Sequence, residues 1–292
     1  MNGVWTALAT PFQASGDIDW EAFDRLLDFQ SQASVHGIVL IGTTGEAPTL
    51  AVSEKLALIR RARARLPHIK LMSGAGSNDT KQAVEFSRLA ADSGMDALLV
   101  VTPPYNKPSL NGLKAHYEAI AKIGVPVCLY HVPGRTGQLL SAHDMQTLTE
   151  IPGVQLIKEA SGSLELFSQT RLQTKVDVLS GDDPTYLASL SVGGAGCISV
   201  VSNIFPRAMV EMTRLFQEGR CDNALKIHEA LLPMIQVLFC ESNPCPLKVA
   251  LEHLELCANV VRLPLAVVED HNKERIQKTV DATCKKLAEI MS

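Results

Sequence analysis

Eight short apolar runs recur along the chain: Val4–Thr10, Gly37–Ile41, Lys70–Ser73, Ala97–Val101, Pro126–Tyr130, Val154–Ile157, Val176–Leu179 and Gly196–Val200. Most are apolar throughout rather than alternating. That is the pattern of parallel strands covered on both faces. Between them the period lengthens to that of helices. Asp19 stands where it can cap a helix carrying Phe23, Leu26 and Leu27 on one face. Ser53 with Glu54 opens a second, with Leu56, Ile59 and Leu66 at helical spacing. Thr80–Asp92, Asn111–Lys122, Ala142–Glu150 and Leu164–Gln173 supply four more. Asp182-Asp183-Pro184 reads as a helix start, with acid at the cap and proline in the first turn. Pro206–Gln217 follows the last apolar run and stops at Gly219.

Strand-then-helix units in this number predict an α/β fold, a (β/α)8 barrel. The alternative, a doubly wound open sheet, wants a glycine-rich phosphate turn after the first strand. Thr10-Pro11-Phe12 stands there instead. Three helical segments remain, Cys221–Glu241, Pro246–Cys257 and Leu265–Met291, uninterrupted by strand pattern. They predict a barrel over 1–221 and a small all-helical domain over 222–292.

Composition narrows the function classes. The formal net charge is −4 and no block of like charge stands out, so nucleic acid is not an expected partner. Arg61, Arg63 and Arg65 alternate with alanines and read as a solvated helix face. No apolar run has membrane-spanning length. The first apolar segment begins almost at Met1, so no signal peptide is expected. Seven cysteines in a chain of 292 residues point to reduced thiols and a cytoplasmic setting. Cys240 and Cys245 lack the second pair that a zinc site wants.

In such a barrel the chemistry lies where strands end. Those positions hold Gly42-Thr43-Thr44-Gly45-Glu46, Thr102-Pro103-Pro104-Tyr105-Asn106, Tyr130-His131-Val132-Pro133-Gly134-Arg135-Thr136-Gly137, Lys158, Ser180-Gly181-Asp182 and Ser199. Lys158 closes an apolar strand. Its ammonium must be paired, reach water, or lose its proton. A desolvated lysine can attack a ketone to form a Schiff base. A tyrosine hydroxyl can move protons at that carbon, and an arginine can grip a carboxylate in a two-point fork. Each residue has a plainer reading: Lys158 as a snorkelling strand end, Tyr130 as a rim aromatic, Arg135 as a loop charge, Asp182 as a cap. Their meeting at one rim argues for chemistry.

Gly42-Thr43-Thr44-Gly45-Glu46, and Tyr130-His131-Val132-Pro133 followed by Lys158-Glu159, resemble the two signatures of the dihydrodipicolinate synthase / N-acetylneuraminate lyase family. The resemblance covers essentially the whole chain. It implies a pyruvate-dependent class I aldolase on a barrel with a C-terminal helical domain, working without metal or organic cofactor. Gly134-Arg135-Thr136-Gly137, Thr102–Pro108, Ser180-Gly181-Asp182-Asp183 and Asn243-Pro244-Cys245-Pro246-Leu247-Lys248 resemble the branch that condenses pyruvate with L-aspartate 4-semialdehyde. The sialic acid lyases lack an arginine at the position of Arg135, which weighs against a sugar-acid aldolase. A catalytically silent barrel would have lost part of the set.

By the same resemblance, Lys158 forms the imine and Thr43, Tyr130 and Tyr105 form a proton relay. Tyr105 would reach a neighbouring subunit, which implies a homo-oligomer, a dimer or a tetramer built as a dimer of dimers. The amides of Thr43 and Thr44 would hold the pyruvate carboxylate, and Arg135 that of the semialdehyde. Gly181 and Ile198 would shape the floor. His131 departs from the family, where asparagine is commoner, and is expected to tune the relay. Lys55, Gln82 and Pro104 stand where lysine-sensitive members carry histidine, glutamate and tyrosine. With only Asn78 retained, feedback by lysine is expected to be weak or absent.

Overall fold

Hydrogen bonding of each strand to its sequence neighbour closes a ring in the computed structural model, which describes residues 1–291. The strands are β1 (Gly3–Ala7), β2 (Gly37–Leu40), β3 (Lys70–Gly74), β4 (Ala97–Val101), β5 (Val127–His131), β6 (Val154–Glu159), β7 (Asp177–Ser180) and β8 (Gly196–Ser199). β1 pairs in parallel with β8 from Gly3↔Gly196 to Thr6↔Ser199, so no edge remains. The fold is the (β/α)8 barrel, not the open sheet.

Two apolar layers explain the continuous runs. Trp5, Val39, Met72, Leu99, Leu156 and Leu179 point inward and pack against one another. Val4, Ile38, Leu71, Leu98, Leu129 and Val178 point outward and join the helices in the larger core. With both faces buried, the middle of most strands is apolar throughout.

The expected strand ends shift by one to three residues, for a definable reason. β1 stops at Ala7. Leu8 still donates to Val39 O, but the Ala9 amide is taken by Asn203 Oδ1 at 3.0 Å, which draws the chain off the ladder. β5 and β6 run past the ends of their apolar stretches because His131 and Glu159 pair with each other.

Between β5 and β6 the register slips. Val127 pairs with Val154, but Cys128 pairs with Leu156, leaving Gln155 as an extra, exposed residue. Such a bulge reverses the in–out parity of everything after it. Val154 packs in the outer core, and an unbroken alternation would send residues 156 and 158 outward with it. With the extra residue, Leu156 faces in and Lys158 follows, opposite Tyr130.

Helix starts follow local chemistry. Asp19 caps Trp20–Gln32 by accepting from the Ala22 amide at 2.9 Å. Ser53 is not a cap: Val52–Arg65 begins after Ala51, and Glu54 reaches back to the Ala51 amide at 2.8 Å. Asp182-Asp183-Pro184 forms a turn ahead of the short helix Tyr186–Ser191. Asp182 Oδ2 accepts from Thr185 N, while Asp183 turns to β8 and accepts from the Val200 and Val201 amides. Arg61, Arg63 and Arg65 are not simply solvated. Arg61 and Arg65 bind Asp24, Arg65 also binds Asp28, and Arg63 binds Asp96, tying neighbouring barrel units together.

Beyond the barrel come Cys221–Val237, Cys245–His253 and Asp270–Met291. All three are shorter than their apolar patterns. The intervening chain is drawn against the barrel, where Lys248 Nζ takes Val260 O and Glu46 Oε2 takes the Arg262 amide. No helix among the described residues is long and apolar enough to cross a membrane.

Candidate active site

Lys158 enters the barrel mouth from the end of β6 and is 7% exposed. Its Nζ lies 4.2 Å from the centroid of the Tyr130 ring, on the neighbouring strand. Tyr130 is equally buried and belongs to the inner layer with Ile198. Gly181 continues the inward face of β7, with its amide on Glu159 O at 2.7 Å. A Cβ there would sit 2.7 Å from Lys158 Cε and 2.6 Å from Ala160 Cβ. Glycine at this place is what leaves the lysine stem its room. Below Tyr130 on the same strand lies Cys128, whose thiol burial pushes up to about 12. It stays a neutral SH, so the amine has no thiolate competitor beside it.

The residues following Tyr130 and Lys158 face the opposite way. His131 and Glu159 point to the outer side of the sheet, with Nδ1 and Oε1 3.1 Å apart. The Leu140 amide donates to His131 Nε2 at 3.0 Å. That nitrogen therefore carries a lone pair, and Nδ1 carries the proton given to Glu159. Glu159 Oε1 also accepts from Ser161 N. His131 thus adjoins Tyr130 in sequence but faces away from it, and anchors the chain that follows Arg135.

Thr43 and Thr44 lie on a tight loop at the end of β2. Gly45 N donates to Gly42 O and Glu46 N to Thr43 O, and Ile41 (φ 60°) and Glu46 (φ 54°) are both left-handed. A β-branched residue in that region is strained by about 1–3 kcal/mol and persists only where its surroundings impose it. Gly74 removes the side chain that would collide with Ile41 O, and Thr10 Oγ1 donates to Gly45 O at 2.8 Å. Thr44 Oγ1 accepts from Asn243 Nδ2 at 3.0 Å. The Asn243 carbonyl accepts from Arg135 Nη2 at 3.4 Å. One residue after the barrel therefore joins the threonine loop to Arg135.

Of the residues singled out in the sequence, Lys158, Tyr130, Gly181 and Ile198 share the inner face, and Thr43, Thr44 and Arg135 stand at its rim. Tyr105 does not join them within the chain. It is 91% exposed, at φ 73° in the loop after β4. The contacts among Asn243, Glu46 and Lys248 were not evident from spacing. Their signals were only the runs Gly42–Glu46 and Asn243–Lys248, far apart in sequence.

A lysine against a tyrosine, inside a barrel mouth rimmed by threonines and an arginine, is the equipment of a lyase that works on carbonyl compounds. The chain belongs to the dihydrodipicolinate synthetase family, whose sequence pattern matches residues 1–283. It is 38% identical over 284 residues to the 4-hydroxy-tetrahydrodipicolinate synthase of Methanococcus maripaludis, covering 96% of this chain and 98% of that one. The solved 4-hydroxy-tetrahydrodipicolinate synthase of Methylacidiphilum fumariolicum SolV superposes with a TM-score of 0.97 at 38% identity, covering 100% and 98% of the two chains. The chloride-inhibited dihydrodipicolinate synthase of Acinetobacter baumannii, solved with pyruvate, gives 0.94 at 36% identity, covering 97% and 99%. A dihydrodipicolinate synthase variant described as monomeric gives 0.95 at 34%, covering 97% of each.

Gly181→Ala tests the packing around Lys158. Displacing a reacting group by about 1 Å can cost about 10²-fold in rate. The variant should keep its far-UV circular dichroism and form an imine with a 2-oxo acid about 10²-fold more slowly, read by borohydride trapping over time. Trapping at the wild-type rate would show that the lysine does not need that space.

Proposed function

We propose that the barrel mouth condenses pyruvate with L-aspartate 4-semialdehyde to 4-hydroxy-tetrahydrodipicolinate, the first committed step of lysine and diaminopimelate biosynthesis. The observation that carries this is Lys158, turned inward and held against Tyr130. Unprotonated Lys158 attacks the keto carbon of pyruvate, and water leaves as the imine forms. The protonated imine is an electron sink, so a methyl proton departs and an enamine results. The enamine carbon adds to the aldehyde carbon, whose oxygen takes up a proton. The amine of the bound semialdehyde then attacks the imine carbon, displaces Lys158 and closes the six-membered ring. The protonated imine does the electrophilic work, so these steps draw on no metal or organic cofactor.

In this reading the Thr43 and Thr44 amides hold the pyruvate carboxylate, and Gly181 and Ile198 form the floor. Arg135, whose guanidinium makes one long contact to Asn243 among the described residues, can grip the second carboxylate. Thr43 and Tyr130 pass protons, completed by Tyr105 of a neighbouring copy. All seven cysteines are free, in keeping with a cytoplasmic enzyme.

Borohydride reduction with pyruvate should add one pyruvate-derived mass to the peptide containing Lys158. Arg135→Ala should still take that label, while its KM for the semialdehyde rises about 10- to 100-fold, the loss of a charge-assisted contact of about 1.5–3 kcal/mol. A label on another lysine, or equal damage to imine formation in Arg135→Ala, would contradict the assignment.

A relay completed by Tyr105 requires at least a dimer, and a tetramer made of two such dimers contains the same contact. Sedimentation in assay buffer should find no active monomer. Full activity in a monomeric fraction would remove Tyr105 from the relay.

Free L-lysine should inhibit weakly. Lys55 places an ammonium 5.3 Å from the Phe86 ring centroid, where a cationic ligand would meet like charge. Gln82 offers no carboxylate to pair with the ligand's ammonium, and an unpaired buried charge is penalised. Near-full activity at roughly ten-millimolar lysine is the expected result, since like charges there forbid tight binding. Half-inhibition below about one millimolar, a binding energy above about 4 kcal/mol, would refute it.

A further inference from the structure

Glu46 and Lys248 form an ion pair in which neither side chain reaches solvent, with Oε1 and Nζ 3.2 Å apart. Burying two charges is costly, and an apolar pair of similar volume often holds a fold as well or better. Here the surroundings are built to keep the charges. Lys248 Nζ also donates to Thr10 O at 2.6 Å and Val260 O at 2.8 Å, and lies 4.6 Å from the Phe12 ring centroid. Burial lowers its pKa, and the Glu46 charge opposes that shift. Glu46 Oε2 accepts the Arg262 amide at 3.0 Å. The Arg262 guanidinium lies over the same Phe12 ring at 4.4 Å and binds the Glu54 carboxylate.

The place of the pair matters more than its energy. Glu46 is the left-handed residue that closes the turn carrying Thr43 and Thr44. Lys248 lies on Cys245–His253, and Asn243, just ahead of that helix, holds the Thr44 hydroxyl. One segment of the C-terminal region therefore grips the loop at two points, by a charge at its end and by an amide at its centre. None of these atoms approaches Lys158 in the contacts the structure shows. The grip bears on the threonines, not on the amine.

We infer that Glu46 and Lys248 are positioning residues: their buried pair fixes the loop so that the amides of Thr43 and Thr44 meet the carboxylate of the 2-oxo acid. The inference rests on the pyruvate reading above. It gives the C-terminal helices a part in substrate affinity as well as in stability.

Three variants test it, each assayed for both KM values, kcat and melting temperature. Glu46→Gln keeps the shape and removes the charge, Lys248→Met removes the other charge, and the third combines them. Lost ground-state binding raises KM and spares kcat, so each variant should show a pyruvate KM about tenfold higher, with kcat and the semialdehyde KM changed less than about threefold. In the double variant no buried charge is left unpaired, so melting temperature should return to wild type or above. Its pyruvate KM should stay raised. A merely structural pair predicts that KM recovers with the melting temperature, and that result overturns the inference. So does a wild-type pyruvate KM in Glu46→Gln. Should Lys248→Met fail to fold, those two variants decide between the outcomes. The wild-type protein separates this inference from the reading beneath it. If pyruvate and borohydride leave Lys158 unlabelled, the pyruvate reading falls. If Lys158 is labelled and the variants keep the wild-type pyruvate KM, the positioning role alone falls.

Discussion

Closure of the parallel sheet is the constraint on which the rest depends. Once β1 pairs with β8, every strand residue must face either a packed interior or the helix layer. Apart from the exposed strand starts and the bulged Gln155, no third environment exists for a side chain, so parity decides chemistry. The extra residue at Gln155 resets that parity for the last part of β6. It sends Lys158 into the mouth beside Tyr130 and turns Glu159 out to His131.

That division keeps a carboxylate away from the amine. Glu159 adjoins Lys158 in sequence, and on the inner face it would form an ion pair that holds the ammonium charged. On the outer face it is occupied by His131 Nδ1 and the Ser161 amide. The same histidine takes the Leu140 amide, so the pair that removes the carboxylate also steadies the chain leading from Arg135. Inside, the lysine meets an aromatic ring, an un-ionised thiol below, and the space left by Gly181.

The rim is governed from farther away. The strained loop carrying Thr43 and Thr44 is over-determined by Thr10, Gly74, Asn243 and Lys248, which come from distant parts of the chain. The threonine loop and Arg135 also share Asn243. On the helix layer, Arg61, Arg63 and Arg65 bridge successive units through Asp24, Asp28 and Asp96. Exposed pairs of this kind contribute little individually, about 0–1 kcal/mol each. Their effect is to set the register of neighbouring helices.

The sequence by itself determined the elements and their order. Continuous apolar runs report strands covered on both faces, and helical spacing reports what covers them; both signals are local. The residues gathered at the rim were legible too, because they stand at or just after strand ends. What only the tertiary structure decided depends on contacts across the chain. A bulge is a relation between two strands, so nothing within Val154–Glu159 announces that Lys158 faces inward. Tyr105 reads like its fellows but stands in solvent, apart from them, within one chain. Glu46 and Lys248 are separated by most of the barrel in sequence, and a charge pairs through space. Local pattern encodes periodicity and caps; the partner of a buried charge is chosen only when the chain closes around it.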